Sequence, residues 1–213
     1  MESITPRWLD WAREIQALSQ TGQHYAQSEF DRQRYHRLEE IAAEIVQEHA
    51  GLPVEQLLGA FDGQQGYATP KIDVRAAIFR EGKLLMVREI ADGGWTLPGG
   101  WVDVGDLPSL AAEREAWEEA GVHVKARKVV GVYDANRTGP LGLFHAFKLL
   151  FWCEFSEPPT EESREYVNVE TSEVRYFGSD EIPAQLSGER IKSRQIRDAF
   201  AVLAHPDCPT VFD

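Results

Sequence analysis

Two cysteines are too few for a disulfide framework, and Cys153 and Cys208 lie too far apart for a metal or redox spacing. Such cysteine usage suits a reducing compartment, so a cytoplasmic protein is expected. Positive charge is scarce as well. Lysine and arginine number 22 against 35 aspartates and glutamates, a formal net charge of −13. That balance argues against unaided binding to nucleic acid phosphates. It does not exclude a small phosphorylated substrate, because a bound cation reverses the local sign. No apolar run reaches the roughly 18 residues that suggest a membrane span, and MESITPRWLD at the N-terminus carries no signal-like apolar core. No membrane partner is therefore expected. Internal repeats and low-complexity tracts are missing too.

What is present begins with helices. Trp8, Trp11, Ile15 and Leu18 recur at steps of three, four and three, predicting a helix over 8–19 with those residues on one face, broken by Thr21-Gly22. A second helix is expected from Ser28, where Ser28 and Asp31 resemble a weak capping box, with Tyr35, Leu38, Ile41, Ala42 and Ile45 on one face. Gly51 and Pro53 end it, and a short third helix is expected over Val54 to Phe61. The polar, glycine-rich stretch from Asp62 to Thr69 reads as a linker. Strand signals follow at Val74 to Phe79, Leu84 to Arg88, Val124 to Tyr133, Leu143 to Phe155 and Val174 to Phe177. The Leu143 strand is long and nearly all apolar, as a central strand is. A closing helix places Ile196, Ala199, Phe200 and Leu203 on one face before Pro206. Strands, a central helix, more strands and a final helix imply a mixed sheet covered on both faces.

The central helix carries an electrostatic conflict. Pro108 suits a first helical position, Ala111, Ala112, Ala116 and Ala120 favour helix, and Gly121 suits the position just past the end. Glu115, Glu118 and Glu119 crowd its last turns, where residues three and four apart meet and where the macrodipole favours cations. Two carboxylates about 5.5 Å apart repel by roughly 3 kcal/mol at an effective dielectric near 20, and by under about 1 kcal/mol in water. Two readings follow: a solvated acidic face with screened repulsion, or a seat for a divalent cation shared with substrate phosphates.

The 23 residues from Gly100 to Val122 resemble the signature of the Nudix hydrolases. That signature runs Gly, five residues, Glu, seven residues, then Arg-Glu-apolar-any-Glu-Glu-any-Gly-apolar. Here Gly100 is followed at the same spacings by Asp106 and by Arg114-Glu115-Ala116-Trp117-Glu118-Glu119-Ala120-Gly121-Val122. The departures are Asp106 in place of Glu and the small Ala116 at an apolar position. The resemblance implies an α/β/α sandwich with a mixed sheet over the C-terminal part, and Mg2+ or Mn2+ as cofactor. It implies Glu118 and Glu119 as metal ligands, together with Gly100. Glu115 is implied as a third ligand or as the base that activates water, and Arg114 as the residue that orients a carboxylate. Asp103 and Asp106 are candidates for outer partners, against the plainer readings of helix caps or solvent-exposed acids. The helical leader, with GYATPKIDVR from Gly66 and LPGGWVDVG from Leu97, is similar to a bacterial branch with an N-terminal Nudix-associated domain. That branch includes CDP-choline and ADP-ribose pyrophosphatase-like enzymes. The expected domains are 1–66, all helical, and 67–213, the Nudix domain.

Other residues are candidates by type. Glu170 and Glu173 precede the last expected strand, where a loop base would stand. Trp95, Tyr133, Phe144 and His145 are candidates to stack on or bind a base, against the plainer reading that strand aromatics are core. Lys71, Arg75 and Arg88 are the cations available for a second phosphate. The expected activity is Mg-dependent hydrolysis of the diphosphate in a nucleoside diphosphate linked to another group X. The alternatives are a silent Nudix-fold regulatory module and a pyrophosphohydrolase of RNA ends. The apolar leader helices point to a homodimer.

Overall fold

The computed structural model describes residues 6–62, 66–103, 105–135, 145–156, 170–188 and 190–213. Among the described residues no helix is long and apolar enough to cross a membrane. The chain divides into two compact units, one up to Pro70 and one from Lys71 onward with His145 outside it.

The first unit holds α1 (Arg7–Tyr25), α2 (Glu29–Ala50) and α3 (Val54–Asp62). Ser28 caps α2, its hydroxyl accepting the Asp31 N–H, and Gly51 ends it in the left-handed conformation. One expectation needs correcting. Thr21-Gly22 does not end α1, which continues to Tyr25. Gly22 is there for close packing, because a Cβ on it would sit 2.2 Å from the Tyr35 ring. The apolar stripe is split by burial, with Trp8 packed against the Ala12, Ala43 and Val46 cluster. Leu9, Ala12, Gln16 and Ser19 are buried, whereas Trp11 and Leu18 are 50% and 59% exposed. Small side chains let α1 and α2 approach closely, and the Ser19 hydroxyl donates to the Tyr35 carbonyl.

The second unit contains β1 (Lys71–Arg80), β2 (Lys83–Glu89), β3 (Trp95–Thr96), α4 (Pro108–Ala120), β4 (Val124–Asp134), β5 (Ala146–Phe155), β6 (Thr171–Phe177), α5 (Ser193–Ala204) and β7 (Val211–Phe212). The sheet order is β3-β2-β1-β5-β4-β7, with β6 also paired to β2. The sheet is mixed: β1 runs parallel to β5, and β2 runs antiparallel to β1, β3 and β6. β5 lies between β1 and β4, as its apolar character requires. Alternation along β1 and β2 divides the core. Val74, Ala76, Ile78, Leu85 and Val87 pack against Ala111, Ala112, Ala116 and Ala120 of α4. Ala77, Leu84, Met86 and Leu97 pack on the other face with Ile196, Ala199 and Val202 of α5. The result is the expected α/β/α sandwich. Four alanines on its inner face bring the α4 backbone close to the sheet, which presses Glu115 and Glu119 into the interior.

Candidate active site

Pro108 opens α4, and Gly121 closes it with a left-handed backbone whose N–H returns to Trp117 O at 2.9 Å. Between these ends the helix presents its carboxylates to the loop Leu97-Pro98-Gly99-Gly100. Glu119 is 2% exposed. Its Oε2 accepts the Gly99 N–H at 2.9 Å, while Oε1 has no hydrogen-bond partner among the described residues. Burial pushes the Glu119 carboxyl up to about 8, against the opposing pull of the Arg75 charge and the Gly99 N–H. Glu115 is 9% exposed and raised by burial, an effect that Arg114 opposes. Gly99 is a steric necessity and Gly100 a tight fit. Gly99 has φ +151°, and a Cβ on it would stand 1.9 Å from Val74 O. A Cβ on Gly100 would meet the Glu115 carboxylate at 3.1 Å, and the Gly100 carbonyl accepts the Val74 N–H at 2.9 Å.

Arg114 organises the outer side of this face. Its Nη1 lies 2.9 Å from Glu115 Oε1 and 2.8 Å from Glu118 Oε2, and its Nη2 lies 3.7 Å from Asp106 Oδ2. The shorter acid at position 106 therefore still reaches the arginine. The guanidinium also draws the Glu118 carboxylate outward, to 50% side-chain exposure. Among the described residues no three acidic, His or Cys side chains converge to hold a metal, as this placement of Glu118 explains. The donor chemistry nonetheless fits a hard divalent cation. Glu119 offers a buried oxygen with no partner, and Glu115 stands one helical turn away.

Residues 69–199 match the NUDIX domain family. The chain belongs to the Nudix hydrolase family. Residues 6–61 match a second family, described as a UDP-X-like, N-terminal oligomerisation domain. A Bacillus subtilis relative, YjhB, named as a candidate ADP-ribose pyrophosphatase, is 32% identical over the full length of both chains. A solved ADP-ribose pyrophosphatase from Streptococcus suis aligns with TM-score 0.60 and 33% identity, covering 68% of this chain and all of that one. A solved UDP-X diphosphatase aligns with TM-score 0.60 and 28% identity, covering 97% of this chain and 98% of that one.

Outside the Nudix helix, several expected site residues are occupied elsewhere. Arg75 is 1% exposed and bonds Asp73 twice, at 2.7 and 3.1 Å, and Leu97 O at 3.2 Å. It is an internal strut, not a surface for phosphate. Arg88 donates to Gly93 O and to Glu173 at 2.6 Å. Glu173 also pairs with Arg175 at 2.6 Å, and the Arg88 hydrogen bond holds its carboxyl below the usual range, which makes it a weak base. Trp95, 8% exposed, packs edge-on to Phe177 at 4.9 Å. Tyr133 is fully buried and donates to Asp198 at 2.9 Å, and burial followed by Asp198 pushes its hydroxyl pKa up. Both aromatics are core residues, not base contacts. Lys71 begins β1 and is partly buried, while His145 precedes β5 and is exposed. Glu170 is exposed, and its carbonyl accepts the Ile90 N–H at 2.8 Å. Phe144 and the acidic stretch 157–169 lie outside the described residues.

The sequence pattern did not single out a second set of buried charges. Lys148, 5% exposed, sits 3.5 Å from Asp73 and donates to Arg190 O. Burial lowers its ammonium pKa to about 8 against the pull of Asp73, with Arg75 lowering it further. Glu89, 1% exposed, faces Arg190 at 3.3 Å. Burial raises its carboxyl, and Arg190 and then Arg75 counter that. The only signal available was a charge at an inward strand position, as at Asp73 and Glu89, and strand boundaries had to be known to read it.

Proposed function

We propose that the chain is a Mg-dependent pyrophosphatase that splits the diphosphate of a nucleoside diphosphate linked to X. One observation carries the reading: Glu119 is buried, fixed by the Gly99 N–H, and left with an oxygen that has no partner. A desolvated carboxylate oxygen of this kind is costly unless a cation meets it. The names of the Bacillus and Streptococcus proteins and of the UDP-X diphosphatase support nucleoside diphosphate-X as the substrate class.

Glu118 and Glu119 would hold the cation, with the Gly100 carbonyl beside them and Glu115 left as the base. When bound, the cation supplies the positive charge that offsets the diphosphate oxygens and the departing phosphate. The protein's own contribution is positioning. Arg114 holds Glu115 at 2.9 Å, and Glu115, partly desolvated and raised by burial, accepts the proton of the attacking water. The water oxygen bonds to phosphorus, the bridging P–O bond breaks, and the second phosphate leaves with its group. Gly99 lets the loop lie against β1, where a Cβ would meet Val74 O at 1.9 Å, and so keeps its N–H on Glu119.

We also read α1 as the face through which two copies pair. Trp11, Leu18 and Tyr25 are 50%, 59% and 64% exposed and recur every seven residues along one side of the helix. Phe30 at the start of α2 is 74% exposed. Apolar exposure of this density marks an interaction surface.

A panel of ADP-ribose, a UDP-sugar, CDP-choline, NADH and an 8-oxo nucleotide, each with Mg2+ and with Mn2+, tests the activity. Hydrolysis to a nucleoside monophosphate and a phosphorylated X is the expected result. Release of inorganic phosphate alone, or no turnover, would overturn the reading.

A further inference from the structure

Among the described residues of the Nudix domain, the pair Glu89–Arg190 differs from the buried pairs that Asp73 forms with Arg75 and Lys148. A bulge shifts the β2–β6 pairing between Arg88 and Glu89, and Glu89 ends the strand almost wholly buried. Bulges recur beside active sites because they re-aim a side chain. Glu89 Oε1 accepts no hydrogen bond among the described residues, and the cation facing it is Arg190, with Nε at 3.3 Å. Arg75 commits its whole fork to Asp73 and Leu97 O. Arg190 does not: its Nε lies 3.3 Å from Glu89 Oε1, the side chain keeps 35% exposure, and its guanidinium forms no hydrogen bond with a described residue.

The backbone that carries Arg190 is held tightly. Trp95 N donates to Gln185 O at 3.0 Å, and Ser187 N returns to Trp95 O at 2.8 Å. Asp92 accepts both the Gly94 N–H at 2.8 Å and the Ser187 hydroxyl at 2.9 Å. A Cβ on Gly94 would stand 2.6 Å from the Ser187 backbone, so the two segments touch. Arg190 N then bonds Ser187 O at 3.1 Å, while its carbonyl accepts Lys148 Nζ. A guanidinium delivered this rigidly, with one edge on a buried carboxylate and the other edge open, is preorganised to meet phosphate oxygens. The location fits as well. Glu89 pairs across the sheet with Thr171, whose hydroxyl donates to the Glu119 carbonyl at 2.9 Å, which places the pair beside the carboxylate helix. A molecule of net charge −13 needs a local cation to accept a diphosphate.

We propose that Arg190 binds a phosphate oxygen of the substrate through its Nη edge, and that Glu89 is the positioning residue that holds the guanidinium there. The proposal rests on the pyrophosphatase reading of the same site. Its alternative is a purely structural ion pair that ties the 185–191 segment to β2.

Steady-state kinetics on the full chain with Mg2+, using ADP-ribose and UDP-glucose, separates the two, with melting temperature as the control. Arg190→Ala is expected to raise KM about 10-fold or more with kcat changed less than about 3-fold, the loss of one charge-assisted contact to the ground state. Arg190→Lys is expected to recover only part of this, because an ammonium lacks the fork. Glu89→Gln is expected to raise KM by a smaller factor, since the guanidinium remains but is no longer held. A lowered melting temperature with an unchanged KM for Arg190→Ala would overturn the proposal. Should that variant fail to fold, a wild-type KM for Arg190→Lys overturns it equally. Failure of the wild-type protein to hydrolyse either substrate or any other in the panel would overturn the pyrophosphatase reading, and this proposal with it. Wild-type turnover with an indifferent Arg190 would remove this proposal alone.

Discussion

Glu119 and Lys148 are buried ionisable groups of opposite sign, and burial moves each toward its neutral form. They differ in what relieves the burial. Glu119 keeps an oxygen with no partner, which suits a cation, while Lys148 has Asp73 at 3.5 Å and the Arg190 carbonyl. Lys148 therefore belongs to folding energetics. In the unfolded chain a lysine titrates near 10.4, whereas in the fold Lys148 titrates at about 8. Between those values the unfolded state holds the extra proton, so stability rises with pH across that window. The rise amounts to at most roughly 3 kcal/mol. Asp73, Arg75 and Arg190 face the ammonium. Lys148→Met keeps the Asp73–Arg75 pair and should flatten the rise relative to wild type between pH 8 and pH 10, as followed by urea denaturation. Parallel curves would show that Lys148 is not the titrating group. Neither Lys148 nor Glu89 stood out in the sequence, because an isolated charge at a strand position becomes informative only when its face is known.

Among the elements, α4 was fully legible and α1 was only half so. Pro108, the four alanines and Gly121 each have a local physical role, and the helix begins and ends where they place it. Ala116, the small residue at an apolar position, is buried against the sheet and sets how close the helix lies. For α1 the periodicity located a helix and an apolar stripe but not the buried face, which is made by Leu9, Ala12, Gln16 and Ser19 while Trp11 and Leu18 stay exposed. Thr21-Gly22 misled because the glycine is there for interhelical contact with Tyr35. The two-residue β7 is too short to carry any periodicity. The loop facing α4 is the element most sensitive to change. Gly99→Ala should cost about 3 kcal/mol, from a strained φ and a collision with Val74 O. It should also lower kcat, since the N–H that fixes Glu119 would shift. Chemical denaturation checks the first effect and turnover the second. A variant as stable and active as wild type would contradict both.

At the scale of the molecule, the sequence placed the carboxylate face and left the substrate cations unassigned. Arg75 and Arg88 were reasonable as charges, yet each is consumed by a neighbouring acid, and Arg190, in an unremarkable polar stretch, has the open edge. The exposed α1 stripe bears on assembly. Trp11→Glu combined with Leu18→Glu leaves the buried faces of the helix untouched. It should shift the mass seen by light scattering from twice 24.1 kDa to 24.1 kDa. A wild-type mass for that variant would remove α1 as the pairing face. The most direct test of the whole is Glu119→Gln, assayed for Mg-dependent turnover on the substrate that wild type hydrolyses best. The amide keeps the shape and the Gly99 contact but removes the charge that meets the cation. The expected result is a fall in kcat of at least about a hundredfold with the melting temperature unchanged or raised, since a buried carboxylate has been neutralised. A variant that turns over at the wild-type rate would contradict the assignment of this face as the catalytic metal site.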